Sequence, residues 1–158
     1  MLFRSAACSI RAGTRGNGGA LTSISEQLLK QRIRENIIDY LELASSSAEQ
    51  REYERSLIEA KAPGIVPVEV INQWQDSVPD ADLGWFDEPV FSNQEQSAIR
   101  TFHKNWDEIA NLLPEPTPWT VEDMIGTEPW TSLGEAARNA LAVFMQRGRF
   151  SRDTEEVF

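Results

Sequence analysis

The segment between Ser92 and Leu113 constrains the fold most strongly, because it has the apolar spacing of a long amphipathic α-helix. Its large apolar residues recur at steps of three or four positions, which places them on one helical face. These residues are Ile99, Phe102, Trp106, Ile109 and Leu113. Ser92 and Glu95 have the spacing of a capping box, and Pro114 ends the pattern. The segment therefore predicts a central helix at about residues 92–113.

The rest of the chain repeats this helical spacing, and no run of alternating β-branched residues is long enough to predict a sheet. The fold class that follows is all-α, a single-domain bundle of five or six helices with at most one marginal β-hairpin. Helices are predicted at about residues 25–44, 47–60, 67–78, 92–113, 120–125 and 132–147. In the first of them an apolar row that includes Leu29, Ile33 and Ile37 is expected to face the core, and charged residues that include Arg34 and Glu35 are expected to cover the other, solvent-facing sides.

Polar residues and prolines set the expected helix starts. Ser47 with Gln50 has capping-box spacing, and Pro67 suits the first turn of a helix because its missing N–H needs no partner there. The last two helices are expected to begin after Thr120 and Ser132, each with an acid three positions on. Four of the five tryptophans are assigned to packing, two of them as staples before a cap. They are Trp74, Trp106, Trp119 and Trp130.

The two ends of the chain differ from its middle. Residues 1–21 contain three arginines and no acid, a composition typical of an organelle transit peptide or of a disordered tail. The domain organisation predicted is a leader at 1–21, a helical domain at 22–148 and a frayed, charged tail at 149–158. The expected location is the cytoplasm, or the mitochondrial matrix if the leader is a cleaved transit peptide.

Charge narrows the classes of partner. The chain has a formal charge of −10, and residues 26–158 carry 12 basic and all 25 acidic residues, which amounts to −13. A body this negative repels phosphate backbones and anionic lipid, so neither nucleic acid nor a membrane surface is expected as a partner. A basic protein surface would be attracted instead.

Catalytic and metal chemistry find little support in the composition. His103 is the only histidine and Cys8 the only cysteine, which is too few for a zinc site, and no glycine-rich nucleotide motif occurs. Asp107 follows His103 by one helical turn, a spacing that suits a general base, but a solvated helix residue explains the same pattern. We predict no catalytic residue, no metal and no cofactor.

An acidic cluster with aromatic residues occupies positions 76–88. A true EF-hand calcium loop is excluded, because Gly84 is at position five instead of six counted from Asp80 and Phe91 stands where position twelve needs a glutamate; a weak ion site stays open as one interpretation. Two other interpretations remain: the aromatic side chains plug the core, or they anchor a partner while the carboxylates steer it. The candidate partner-binding residues are Asp76, Asp80, Asp82, Trp85, Phe86, Asp87 and Glu88.

These observations favour a non-catalytic acidic protein-binding module, such as an inhibitor, an immunity-type protein or an accessory subunit, that docks a basic partner. One alternative is a metal-assisted enzyme whose site contains only carboxylates, formed by Asp80 and Asp82 with Glu35 or Asp39. Another alternative is a structural subunit of an organellar assembly.

Overall fold

The computed structural model describes residues 23–158, apart from the side chains of residues 80–82, and the predicted leader lies outside this range. Within it the chain is all-helical, with no strand. None of its helices is both long and apolar enough to cross a bilayer. The elements are α1 (Glu26–Ser45), α2 (Ser47–Glu59), α3 (Val66–Ser77), a 3₁₀ helix (Asp80–Trp85), α4 (Asn93–Leu112), α5 (Val121–Met124) and α6 (Glu128–Met145).

The predicted central helix is confirmed together with its cap. The backbone N–H of Glu95 donates to Ser92 Oγ at 3.2 Å, and the Ser92 N–H donates to Glu95 Oε2 at 3.0 Å. The short helix α5 has the predicted cap as well, because the Asp123 N–H donates to Thr120 Oγ1 at 3.2 Å. Both reciprocal and single caps satisfy N–H groups that the first helical turn leaves without partners.

The predicted cap of α2 and the predicted start of α6 are wrong. Ser46, not Ser47, caps α2, and Gln50 is buried so that its amide donates to the carbonyls of Leu43 and Ala44, at the end of α1. Helix α6 begins at Glu128 rather than after Ser132. Its first turn contains a proline, which fits there without losing a hydrogen bond.

Helix α6 packs against both α1 and α4. It runs antiparallel to α4, since Arg147 beyond its C-terminal end binds Glu95 in the first turn of α4. Aromatic rings close the other side of the core: the Trp74 ring lies 4.5 Å from the Phe102 ring and 5.4 Å from the Tyr40 ring, measured between centroids. The Trp74–Phe102 contact is edge-to-face, and contacts of that kind add to the stabilisation that apolar burial provides.

Three of the four tryptophans assigned to packing are buried, and each indole N–H donates a hydrogen bond. Trp106 donates to the Ile71 carbonyl and Trp130 to Gln50, both at 2.9 Å, while Trp74 donates to His103 at 3.0 Å. The packing assignment is therefore confirmed for these three residues.

The packing assignment of Trp119 is wrong. Its side chain is 72% exposed, although it directly precedes the N-cap of α5 as a staple residue would. A staple needs an apolar partner at the fourth helical position. In α5 that position is Met124, and its side chain is turned into the core and 1% exposed, so the indole ring is left at the surface.

The C-terminal tail is not frayed as predicted, because side chains of α1 bind its backbone. Gln31 donates to the carbonyls of Ser151 and Thr154, both at 3.0 Å, and Arg32 donates to the Arg152 carbonyl at 2.7 Å. The tail has no regular secondary structure, so the periodicity of its sequence could not predict that it is ordered. Its order comes from contacts distant in sequence.

Candidate functional site

The two aromatic residues of the acidic cluster have different environments. Phe86 is 2% exposed and packs edge-on against Phe91, with 5.1 Å between ring centroids, so its prediction as a surface anchor is wrong. Trp85 is half-buried, and its ring meets the Phe86 ring edge-on at 5.5 Å. Of the two rings, only that of Trp85 remains in part available to a partner.

A groove of about 510 Å³ opens beside Trp85, between helix α1 and the end of α3. We call it the α1 groove, and its lining is mostly apolar. The lining residues are Leu29, Ile33, Asp76, Ser77, Pro79, Trp85 and Phe86. Leu29, predicted to face the core, is 44% exposed at this groove, so that prediction is wrong.

Lys30 fixes the position of Trp85. Its Nζ lies 5.2 Å from the centroid of the indole ring, 2.5 Å from Asp87 Oδ1 and 2.9 Å from Glu26 Oε1. Partial burial acts to lower the pKa of Lys30, but its hydrogen bonds to Asp87 and Glu26 outweigh this effect, and the pKa is raised. Asp87 is therefore engaged within the chain, which leaves it less suited to steering a partner than predicted.

The other predicted carboxylates are spread around the groove rather than gathered in it. Asp76 lines the groove and is exposed. Glu88 accepts a hydrogen bond from the Asn93 amide at 3.3 Å, at the start of α4. The side chains of Asp80 and Asp82 lie outside the described residues. The part of the groove lining from Asp76 to Phe86 belongs to a stretch, residues 62–99, that contains no lysine, arginine or histidine.

His103 lies between two tryptophans rather than in solvent, contrary to the simpler of the two expectations for it. It is half-buried, and its Nδ1 accepts the indole N–H of Trp74 at 3.0 Å. The centroid of its ring lies 5.6 Å from that of the Trp106 ring. The imidazole thus completes the hydrogen bonding of a buried indole, which is a structural role.

The two helix acids of the carboxylate-site hypothesis both bind Arg149. Its Nη1 lies 3.0 Å from Glu35 Oε2 and 2.8 Å from Asp39 Oδ1. The pKa of Arg149 is raised above its ordinary value. The hydrogen bond to Asp39 is the main cause, and partial burial acts in the opposite direction. In the part of the chain that the structure describes, no three His, Cys, Asp or Glu side chains are grouped so that they could hold a metal ion.

Sequence reasoning found the acidic side of the groove but missed its apolar wall. Leu29 and Ile33 lie one helical turn apart, which is also the spacing of core residues such as Ile37 and Leu41. Periodicity alone does not show which residues of this apolar row on α1 are buried by other segments of the chain. The missing information is where the segment after α3 crosses α1.

The chain matches no protein family model, and neither the curated proteins nor the solved structures contain a significant match to it.

Proposed function

We propose that the protein is a non-catalytic binding module whose α1 groove receives an apolar side chain from a basic segment of a partner protein. The observation that carries this proposal is an apolar groove formed by Leu29, Ile33 and Trp85, with one exposed carboxylate, that of Asp76, in its lining. Single exposed apolar residues are common on protein surfaces, whereas a contiguous concave group of them is typical of a binding site.

Apolar burial would supply the affinity. Leu29 is 44% exposed and Trp85 is only half-buried, so both have surface that a bound side chain would remove from water. Burial contributes about 25 cal/mol for each Å² of apolar surface, and tryptophan is among the residues that dominate binding energies. Because Lys30 holds the indole ring in place, little side-chain entropy is lost when a partner binds.

Charge selects the partner. Asp76 is exposed at the groove, and Lys30, the cation over the Trp85 ring, is bound to two carboxylates. The surrounding stretch of residues 62–99 has no basic side chain to offset its acids. A segment that carries lysine or arginine next to an apolar residue would be attracted to this region, and an acidic one repelled. The mechanism would be occlusion of that partner segment.

A peptide display experiment tests the proposal with defined probes. Random peptides displayed on phage are selected against the full chain, and the bound sequences are determined. We expect them to combine an apolar residue with lysine or arginine. Affinity should fall with rising salt, because the attraction is screened. Selection of acidic peptides, or of none, would contradict the proposal.

Charge reversal at the groove supplies the matched control. Asp76→Lys should slow association of a selected peptide by about three- to tenfold and flatten its salt dependence, because local charges act mainly on the association rate. Glu59→Lys makes the same charge change at an exposed position at the end of α2 and should have a smaller effect. Equal effects of the two variants would show that only net charge matters and that the groove is not the site.

A cytoplasmic location fits this function. Sequencing of the native N-terminus tests it, and cleavage near Leu21 would favour the mitochondrial matrix instead.

A further inference from the structure

The α1 groove lies near the point where the chain enters helix α1. Two of its apolar lining residues, Leu29 and Ile33, belong to the first two turns of that helix. At a rise of about 1.5 Å per residue, they follow the N-cap Ser25 by about 6 and about 12 Å along the helix axis. Residues 1–22 lie outside the described range and join the chain just before this cap. The segment is therefore attached within about two helical turns of the groove.

The segment ahead of α1 has the chemistry that the groove is proposed to select. Residues 1–21 contain three arginines and no acid. Phe3 directly precedes Arg4, and Ile10 directly precedes Arg11, so an apolar residue stands beside a cation twice. We expect a partner segment to combine the same two residue types. A competitor with this chemistry is thus part of the chain itself.

Opposite charge favours contact between this segment and the groove. Residues 1–21 have a formal charge of +3, whereas residues 26–158 have one of −13. Asp76 is exposed in the groove lining, and Lys30 is already bound to two carboxylates. Arginines of the segment are attracted to this region for the same reason as those of a basic partner.

The covalent link makes even a weak contact effective. The stretch from Ile10 to Ser25 spans up to about 50 Å when extended, which exceeds the distance along α1 to Ile33. Positions 16–19 are glycine and asparagine, residue types that favour a turn of the chain back towards the helix. A short link gives an attached segment an effective concentration of the order of millimolar. A segment whose separate dissociation constant is several-fold below that concentration would fill the groove for most of the time.

We propose that residues 1–15 occupy the α1 groove of their own chain and compete there with the partner segment. This inference rests on the proposed function, because it assigns the groove the same preference for an apolar residue beside a cation. The apolar residue enters beside Trp85, and its neighbouring arginine lies towards Asp76. The contact lowers the apparent affinity for a partner in proportion to the fraction of chains whose groove is open. Removal of the segment would open the groove in every chain.

Calorimetric titration of a peptide selected by phage display, into full-length chains at one salt concentration, tests this proposal. Phe3→Ser combined with Ile10→Ser removes the apolar anchors of the segment without changing any charge. We expect this double variant to bind the peptide at least threefold more tightly than the wild-type chain does. Ile58→Ser combined with Leu112→Ser is the matched control, because these residues are 71% and 67% exposed and neither lines the α1 groove. The control should bind the peptide as the wild type does.

The outcomes separate this inference from the proposed function. Suppose that the wild type and the double variant bind the peptide equally, and that Leu29→Ser still weakens binding. The inference would then be wrong, while the proposed function would stand. An equal gain in the control variant would also overturn the inference, as would a gain that disappears at lower chain concentration, since the segment would then fill the groove of a second copy. Failure of every basic peptide to bind either chain would overturn both proposals.

Discussion

Helix α1 contains two regions that reverse the usual distribution of side chains. Towards the tail it buries charge: Arg34 is fully buried and Glu35 is 2% exposed. Towards the α1 groove it exposes apolar surface, with Leu29 at 44%. Burial in this chain therefore depends on which groups distant in sequence meet a side chain. The buried charges have partners from other segments, whereas the exposed Leu29 is not packed against the core.

The buried region is a closed network. Arg34 donates to Glu95 Oε1 at 2.7 Å and to the carbonyls of Gly148 and Phe144 at 2.9 and 3.1 Å. Its guanidinium carbon lies 3.8 Å from the centroid of the Phe150 ring. The second oxygen of Glu95 accepts from Arg147 at 2.8 Å. A buried ion contributes to a fold only when its hydrogen bonds are satisfied in this way.

The largest effect is expected from Arg34→Met. The change leaves Glu95 with one cation instead of two and removes one hydrogen bond from each of the Phe144 and Gly148 carbonyls. Breaking a buried pair from one side costs about 3–5 kcal/mol of the free energy of unfolding. Urea denaturation followed by circular dichroism measures it, with the exposed Arg100→Met as the matched control, expected within about 0.5 kcal/mol. Equal stability of the two variants would show that the network is not what holds the tail and helices together.

Phe150→Ala should cost less, about 1–3 kcal/mol. The substitution removes a ring stacked on Arg34 and opens the network to water, but it keeps every hydrogen bond of the arginine. Hydrogen exchange of the tail amides should accelerate in parallel, in particular that of the Phe150 N–H, which donates to Glu35 at 2.8 Å. Unchanged exchange rates would mean that the ring does not shield this region.

Tyr40→Phe should leave stability unchanged or raise it by up to about 1 kcal/mol. The hydroxyl of Tyr40 is buried, and none of the described residues forms a hydrogen bond with it, while burial raises its pKa well above the ordinary value. Removing a polar group without a partner loses no interaction and relieves its desolvation. Thermal denaturation gives the sign, and a loss above 1 kcal/mol would indicate a partner for the hydroxyl.

The smallest change in stability is expected for Leu29→Ser, within about 0.5 kcal/mol. Leu29 faces the α1 groove and contributes little to the core, so a polar replacement costs little burial. Ile37→Ser is the contrasting change on the same helix, because Ile37 is fully buried and its replacement should cost several kcal/mol. Similar losses for both variants would remove the distinction between the two regions of α1.

Local signals predicted the helices well, since capping residues and apolar spacing act within a few positions. The capping box at Ser92 and the cap at Thr120 belong to this class. Arg34 was expected in solvent and Leu29 in the core. Both expectations are wrong because the burial of each residue depends on segments that are distant in sequence. Arginine is buried only when partners are available, and here they come from α4 and from the segment after α6. No local pattern contains that information.

The sequence identified the acidic cluster at residues 76–88, but it did not predict that the side chains of the cluster lie in different environments. The turn of the chain after Trp85 sends Phe86 into the core and leaves the indole ring at the groove. Adjacent aromatic residues look alike in sequence. Their roles depend on the packing of Phe91 and on the position of Lys30, which come from other segments.

We propose that the exposed apolar region of α1 binds a partner and contributes little to the stability of the fold. Calorimetric titration of a selected peptide into the wild-type chain and into Leu29→Ser tests it most directly. We predict that Leu29→Ser weakens binding at least tenfold, a loss of about 1.4 kcal/mol, while the free energy of unfolding stays within about 0.5 kcal/mol of the wild type. Unchanged affinity in a folded Leu29→Ser chain would contradict the account.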